Sequence, residues 1–399
     1  MLGRAGSIVT IVLCQVACMS LWFSATAAAG SLLEASRLTT TQVGLLTAAV
    51  QLGFVAGTLA SAVFGLPDRL DPRRLFAISA LVALSANALL LVSGLDGILA
   101  LVLRFFTGCA LAGIYPVGMK LAAGWAERGI GLMIGTLVGA LTLGSSLPYL
   151  FRALGNLDPT LILLASSCAS LMAAVAILTI RLGPHHRSAS RFRAGDALAA
   201  LRSRPIVLAN AGYLGHMWEL YAMWAWIGVF LANAAAQSGN ANPKAVALMT
   251  FAVIAIGALG CVMAGLLADR AGRTTVTMAA LFVSGTCALL IGFLPEIGLA
   301  ITFAVSLLWG FSVVADSAQF SASITELAPP DLVGTMLTVQ TSLGFLLTIA
   351  TIQAMPVVIA LLTWRYAFAV LAVGPLFGFL AMWHLRRSPE SVRLAHGRR

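Results

Sequence analysis

Charge is scarce in this chain. Of its 399 residues only 10% are Asp, Glu, Lys or Arg, against about a quarter in soluble domains. So few charges cannot coat a water-soluble protein in which 60% of residues are apolar. Acidic groups are the scarcest, 14 against 24 basic ones, and the net charge is +10. That excess raises nucleic acid as a partner. The basic residues sit in short connectors between long apolar runs, however, so no nucleic-acid partner is expected. Also absent are G-x-x-x-x-G-K-[ST], H-E-x-x-H and any CxxC pair. Their absence removes a P-loop nucleotide site, a zinc-protease site and a paired-thiol site. The six cysteines lie within apolar runs and read as small apolar filler. No metal, no cofactor and no convergent catalytic set is expected, so the chain is not read as an enzyme.

What the sequence does hold is apolar stretches long enough to cross a bilayer, which takes about 17–25 residues. They are placed at 7–30, 41–66, 75–95, 97–122, 129–153 and 159–182, then at 206–234, 243–268, 274–295, 297–325, 333–360 and 364–386. Lipid cannot satisfy exposed backbone groups, so each run is predicted to be a helix. The fold class is an all-α integral membrane protein of twelve spans. The first run is too long for the ~7–15-residue core of a signal peptide and reads as an uncleaved span. Eighteen Lys and Arg residues fall in the segments on the side of the N-terminus and four on the other side. The positive-inside rule then puts both termini in the cytoplasm and the protein in the cytoplasmic (inner) membrane. The longest connector, 183–205, is basic and opens with Gly183-Pro184. It is read as a cytoplasmic linker between bundles at 1–182 and 206–386, with a tail at 387–399.

The two halves repeat. Span 2 is followed by GLPDRLDPRR (65–74) and span 8 by GLLADRAGR (265–273). Their Asp-Arg pairs, Asp68-Arg69 and Asp269-Arg270, stand 201 residues apart (269 − 68). A duplicated six-span unit is the plan of a parallel-repeat transporter. On these residues the chain resembles the major facilitator superfamily over essentially its whole length. Gly265, Leu267, Ala268, Asp269, Arg270, Gly272 and Arg273 match that family's loop signature G-x-L-A-D-R-x-G-R. The first copy departs from it, with Asp71 and Pro72 in place of Gly and Arg. Arg104 and Gly108 match its R-x-x-x-G pattern in span 4. Span 5 lacks the adjacent Gly-Pro of drug and proton antiporters, which lowers the drug-export reading.

Physically, an aspartate at a helix end can face the positive N-terminus of a neighbouring helix. Asp68, Arg69, Gly265, Asp269, Arg270, Gly272 and Arg273 are therefore candidate gating residues. The alternative is solvated turn charges that only set topology. Gly53, Gly57 and Ser61 in span 2, like Gly131, Gly135 and Gly139 in span 5, form small-residue stripes that bring helices close.

A charge at mid-bilayer costs at least ~2.5–3.5 kcal/mol and usually faces the bundle interior. Arg104, Glu219 and Asp316 lie within spans, with His216 three residues before Glu219. The resemblance implies that spans 1, 4, 7 and 10 line a central cavity. His216, Glu219 and Asp316 are candidates for proton coupling, since imidazole titrates near neutrality. Buried ion pairs that fix helix contacts are the other reading of these charges. Arg104 suits a carboxylate or other oxyanion. Tyr115, Trp22, Ser24, Tyr221, Trp224 and Gln319 are candidates to complete the substrate site, although aromatics in spans more often pack. Nitrate is disfavoured, because no Arg lies within span 2 or span 8. The expected function is secondary active transport of a small organic or inorganic anion, coupled to protons, by a monomer in contact with membrane lipid. The alternative is proton-driven export of amphipathic or cationic compounds.

Overall fold

Long apolar runs that cannot leave backbone groups bare become helices, and helices are the only regular elements among the described residues. The computed structural model describes residues 2–34, 37–125, 130–184, 203–330 and 332–398, with no strand among them. In the first half, α1 is Arg4–Glu34, α2 Thr40–Phe64, α3 Pro72–Ser93, α4 Ile98–Ala123, α5 Ile130–Leu154 and α6 Pro159–Ala176. In the second, α7 is Arg204–Gln237, α8 Pro243–Ala271, α9 Arg273–Leu290 and α10 Leu299–Leu327. The run from Val333 to Arg387 is broken at Thr363 (φ 57°, ψ 174°), giving α11 at 333–362 and α12 at 364–387. Most of the expected 183–205 linker lies outside the described residues.

By length and composition ten runs qualify as membrane spans, and the 55-residue run ending at Arg387 counts as one of them. The Thr363 break makes it two. Helix α7 is 34 residues long but less apolar, because Asn210, His216, Glu219 and Asn233 interrupt it. Twelve spans result.

Register confirms the duplication. Helix α4 starts at residue 98 and α10 at 299, while α3 starts at 72 and α9 at 273. Each difference is 201, the same as between the Asp-Arg pairs. In the first half α1 packs on α5 and α6, and α2 on α4; in the second, α7 packs on α11 and α12, and α8 on α10. The halves meet along two seams, α2 against α11 and α5 against α8. Small residues allow both kinds of contact. A Cβ on Gly53 or Gly57 would run into the α4 backbone at Phe105 or Cys109, and one on Gly135 would lie 2.7 Å from the Cys261 carbonyl of α8. Backbones in lipid approach this closely only through such residues.

The first loop uses the residues by which it departs from the family signature. Asp71 caps α3, accepting from the Arg73 backbone N–H at 2.9 Å, and clamps the Arg73 guanidinium at 2.6 and 3.1 Å. Arg73 in turn reaches the Ile180 carbonyl at 3.1 Å, beyond the end of α6. The Arg73 side-chain bonds hold the Asp71 carboxyl below the usual carboxylate range. Its stabilisation is therefore present above about pH 4 and is lost only as the pH falls through that lowered value. Asp71→Ala is expected to lower stability by about 1 kcal/mol, equally at pH 6 and pH 8. Thermal unfolding in detergent at both pH values checks this, and a loss that differs between them would contradict the ionised cap.

Candidate functional site

Two helices bend at equivalent places. Helix α4 is interrupted at 112–114, before Tyr115-Pro116, and α10 at 313–316. Tyr115 and Asp316 are again 201 residues apart. Beside these breaks lies a cavity of about 230 Å³. Its walls are Thr58 of α2, Tyr115 and Met119 of α4, Leu141 of α5, and Tyr213, Met217 and Tyr221 of α7. Ser317 and Ser321 of α10 and Thr338, Thr341 and Phe345 of α11 also line it, with apolar residues such as Leu220 and Val314 between them. Gly344 lets the Tyr213 ring lie against α11, in space a Cβ would occupy.

One side of the cavity is sealed by rings. Trp22 of α1 stands 5.7 Å from Tyr221 and 5.4 Å from Phe345, and Phe54 of α2 stands 4.6 Å from Phe345. Phe23 meets Tyr221 and Trp224 at 6.4 and 6.1 Å. All six are buried. Towards the other side the walls are partly exposed at Met119, Ser321 and Thr338, near the ends of α4 and α10 and the start of α11. The cavity therefore points to the end of the bundle that carries the Asp269 corner.

The intramembrane charges do not line it. Arg104 is fully buried and donates to α1, reaching the carbonyl of Leu21 at 3.0 Å and that of Trp22. It also touches Ser24 Oγ and Asn87 Oδ1, each at 3.4 Å, and Ser24 donates to Asn87. Glu219 is met by two neutral donors, Trp309 Nε1 at 2.7 Å and Ser284 Oγ at 2.9 Å. His216 turns away from Glu219 and pairs with Asp316, Nδ1 to Oδ1 at 2.9 Å, an ion-pair contact without hydrogen-bond alignment. This pair is buried behind the cavity wall: its sequence neighbours Met217, Ser317 and, two residues from Asp316, Val314 line the cavity, and His216 and Asp316 do not.

At the loop corner Asp269 sits over the first turn of α5. A Cβ on Gly131 would lie 2.8 Å from its Oδ1, which puts an anion at a helix N-terminus of the other half. Arg273 ties Asp269 (2.9 Å), Glu326 (3.0 Å) and Gln319 (3.0 Å) together. Gly265 packs on Gly131, and Gly272 takes φ 95° to start α9. The segment Pro389–Gly397 docks on this corner: the Ala395 N–H donates to Glu326 and Arg398 to the Asp269 carbonyl. Arg69 and Arg270 are exposed, with no ion pair to a described residue. The Asp68 side chain lies outside the described residues.

Of the residues expected at the substrate site, Tyr115 and Tyr221 line the cavity. Trp22 and Trp224 belong to the aromatic seal, Ser24 supports Arg104, and Gln319 accepts from Arg273. Asn87, Ser284, Trp309 and Glu326 were not anticipated as partners. The 201-residue offset, applied to Tyr115, leads to Asp316 and was the available signal for the second break.

The family described as Major Facilitator Superfamily matches residues 11–352. None of the curated proteins matches the chain in sequence. Among solved structures it is similar to the proton:xylose symporter XylE bound to 6-bromo-6-deoxy-D-glucose, at 15% identity and TM-score 0.67, with 96% of each chain covered. It is also similar to the human organic anion transporter MFSD10 (TETRAN), at 15% identity and TM-score 0.70, covering 96% of this chain and 100% of that one.

The two bonds to Glu219 are directly testable. Trp309→Phe removes one donor from a buried carboxyl and is expected to cost about 1–3 kcal/mol. In the Glu219→Gln background the same change should cost measurably less. Unfolding of the four variants in detergent gives the coupling, and additivity within ~0.5 kcal/mol would mean the two side chains do not interact.

Proposed function

Because the chain belongs to the major facilitator superfamily, we propose that it is a secondary active transporter that moves a small solute by alternating access, coupled to protons. The observation that carries this is a cavity sealed at one side by rings from both halves, with the His216–Asp316 pair buried directly behind its wall. The halves, 1–182 and 206–386, would rock along the α2–α11 and α5–α8 seams, joined by the linker. With both termini in the cytoplasm of a cell whose inner membrane it crosses, the cavity faces the cytoplasm. One chain holds the whole site, so it acts as a monomer surrounded by lipid.

Proton coupling rests on the pair. The contact brings together an imidazole and a carboxyl group, two side-chain types that exchange protons, in a place where charge is expensive. Solute entering beside Met217 and Ser317 alters that contact. Glu219 has the same titratable character but is already held by Trp309 and Ser284, so it supports α7 and takes second place as a coupling group.

The anion expected from Arg104 has less support, because the acceptors of its guanidinium all belong to α1 and α3. Export of cationic compounds would need Glu219 or Asp316 facing the cavity as counter-charges, and both are engaged elsewhere.

In proteoliposomes Asp316→Asn is expected to abolish accumulation driven by an imposed pH gradient while leaving solute counterflow in place. Undiminished accumulation would remove the pair from coupling. Loss of counterflow as well would place Asp316 in solute binding instead.

A further inference from the structure

The cavity carries a specific chemistry in its walls. No residue lining it is charged. Every intramembrane charge near it is committed to a protein partner: Arg104 to two carbonyls, Glu219 to an indole and a hydroxyl, Asp316 to His216. A charged solute would therefore lose its water and meet no counter-charge, which is the unfavourable case for any ion taken into an apolar surround. Hydroxyls, by contrast, are plentiful and unused. The phenols of Tyr115, Tyr213 and Tyr221 and the hydroxyls of Ser317, Ser321 and Thr341 bond no other described residue. Thr58 Oγ1 is buried and has no partner among the described residues either. A hydroxyl both donates and accepts, so this set matches alcohol, amide or carbonyl groups and gives no preference for either sign of charge. The remaining wall is apolar, including Met119, Met217, Leu220 and Phe345. The volume, about 230 Å³, is below the roughly 300–1,000 Å³ of drug-sized sites.

We infer that the transported solute is a small uncharged molecule with an apolar body and a few hydroxyl, amide or carbonyl groups. This rests on the transporter reading and narrows it. It also defines what the proton contributes. With a neutral solute the coupled charge is the proton's own, held by the His216–Asp316 pair and not by the cargo. Symport would then move net positive charge, one per proton, whereas a monovalent anion moving with one proton would move none.

The electrostatic character of the cavity can be measured without knowing the solute. Thr341→Cys, with Ser321→Cys as a second position, is made in a background carrying Cys109→Ala and Cys168→Ser. The purified protein in detergent is treated with three methanethiosulfonates of similar size, bearing a hydroxyl, a sulfonate or an ammonium group. Rates are referred to those at Ser238→Cys, in an exposed turn. The neutral reagent is expected to be favoured at the cavity position by at least ten-fold over both charged ones. A sulfonate or ammonium reagent that reacts as fast as the neutral one, relative to the control, overturns the uncharged-solute inference and leaves the transporter reading standing. No reaction with any of the three at either position would show that water does not reach the cavity, and the transporter reading falls with it.

Discussion

Each charge carried into a bundle of apolar helices costs several kcal/mol unless something inside meets it. The interior is organised around that requirement. Arg104 is met by main-chain carbonyls of α1, so the guanidinium fixes α1 against α3 and α4. Glu219 is met by donors from α9 and α10, so the carboxyl fixes α7 within the second half. The Asp316–His216 pair joins α10 to α7. All three clusters lie within one half. Rocking of the halves would leave them intact, and no buried charge would be stripped of its partner during the cycle.

The duplication underlines how the halves have diverged. Their helices share a register of 201 residues, but their charges do not. Counting 201 from Arg104 gives Val305, while Glu219 falls on Cys18 and His216 on Gln15. One half is anchored by a cation on carbonyls and the other by two acids on neutral or imidazole partners. The breaks in α4 and α10 are shared, yet Tyr115 fills one and Asp316 the other. A pair of symmetric bends borders the cavity, and an asymmetric choice of residue puts a phenol at the first and a carboxyl group at the second.

Span positions were legible because bilayer thickness sets the length of an apolar run, whatever packs against it. Observed helix ends mostly fall within a few residues of the expected ones. Helix α7 misses the apolar criterion for a span because it holds Asn210, His216, Glu219 and Asn233. Which charges enter the membrane was equally readable, but their partners were not. Trp309 is 90 residues from Glu219 and Ser284 is 65, and no local spacing links them. Placing His216 and Glu219 three apart suggested a pair on one helix. Contacts between helices decide instead, and the imidazole goes to Asp316. The Asp71–Arg73 clamp was hidden for a different reason, since those residues were read as departures from a signature.

The two kinds of contact between the halves differ in what it takes to change them. Along the α5–α8 seam, Gly135 and Gly139 put backbone against backbone at Cys261 and Ala258, and Gly131 lies under the Asp269 and Arg273 side chains, so this seam is held by close backbone packing and one charged corner. The aromatic seal is held by rings instead. Five ring pairs cross between halves: Trp22 with Tyr221 and Phe345, Phe23 with Tyr221 and Trp224, and Phe54 with Phe345. At about 0.5–1.5 kcal/mol per pair, the seal holds a few kcal/mol against opening. Moving a two-state equilibrium from 1:99 to 99:1 takes about 5.5 kcal/mol of differential affinity. In the transport cycle proposed above, the seal is of a size that solute binding beside Tyr221 and Phe345, which belong to both seal and cavity, would overcome. On that proposal binding and opening would act on the same two rings, which would tie occupancy of the cavity to release of its closed side.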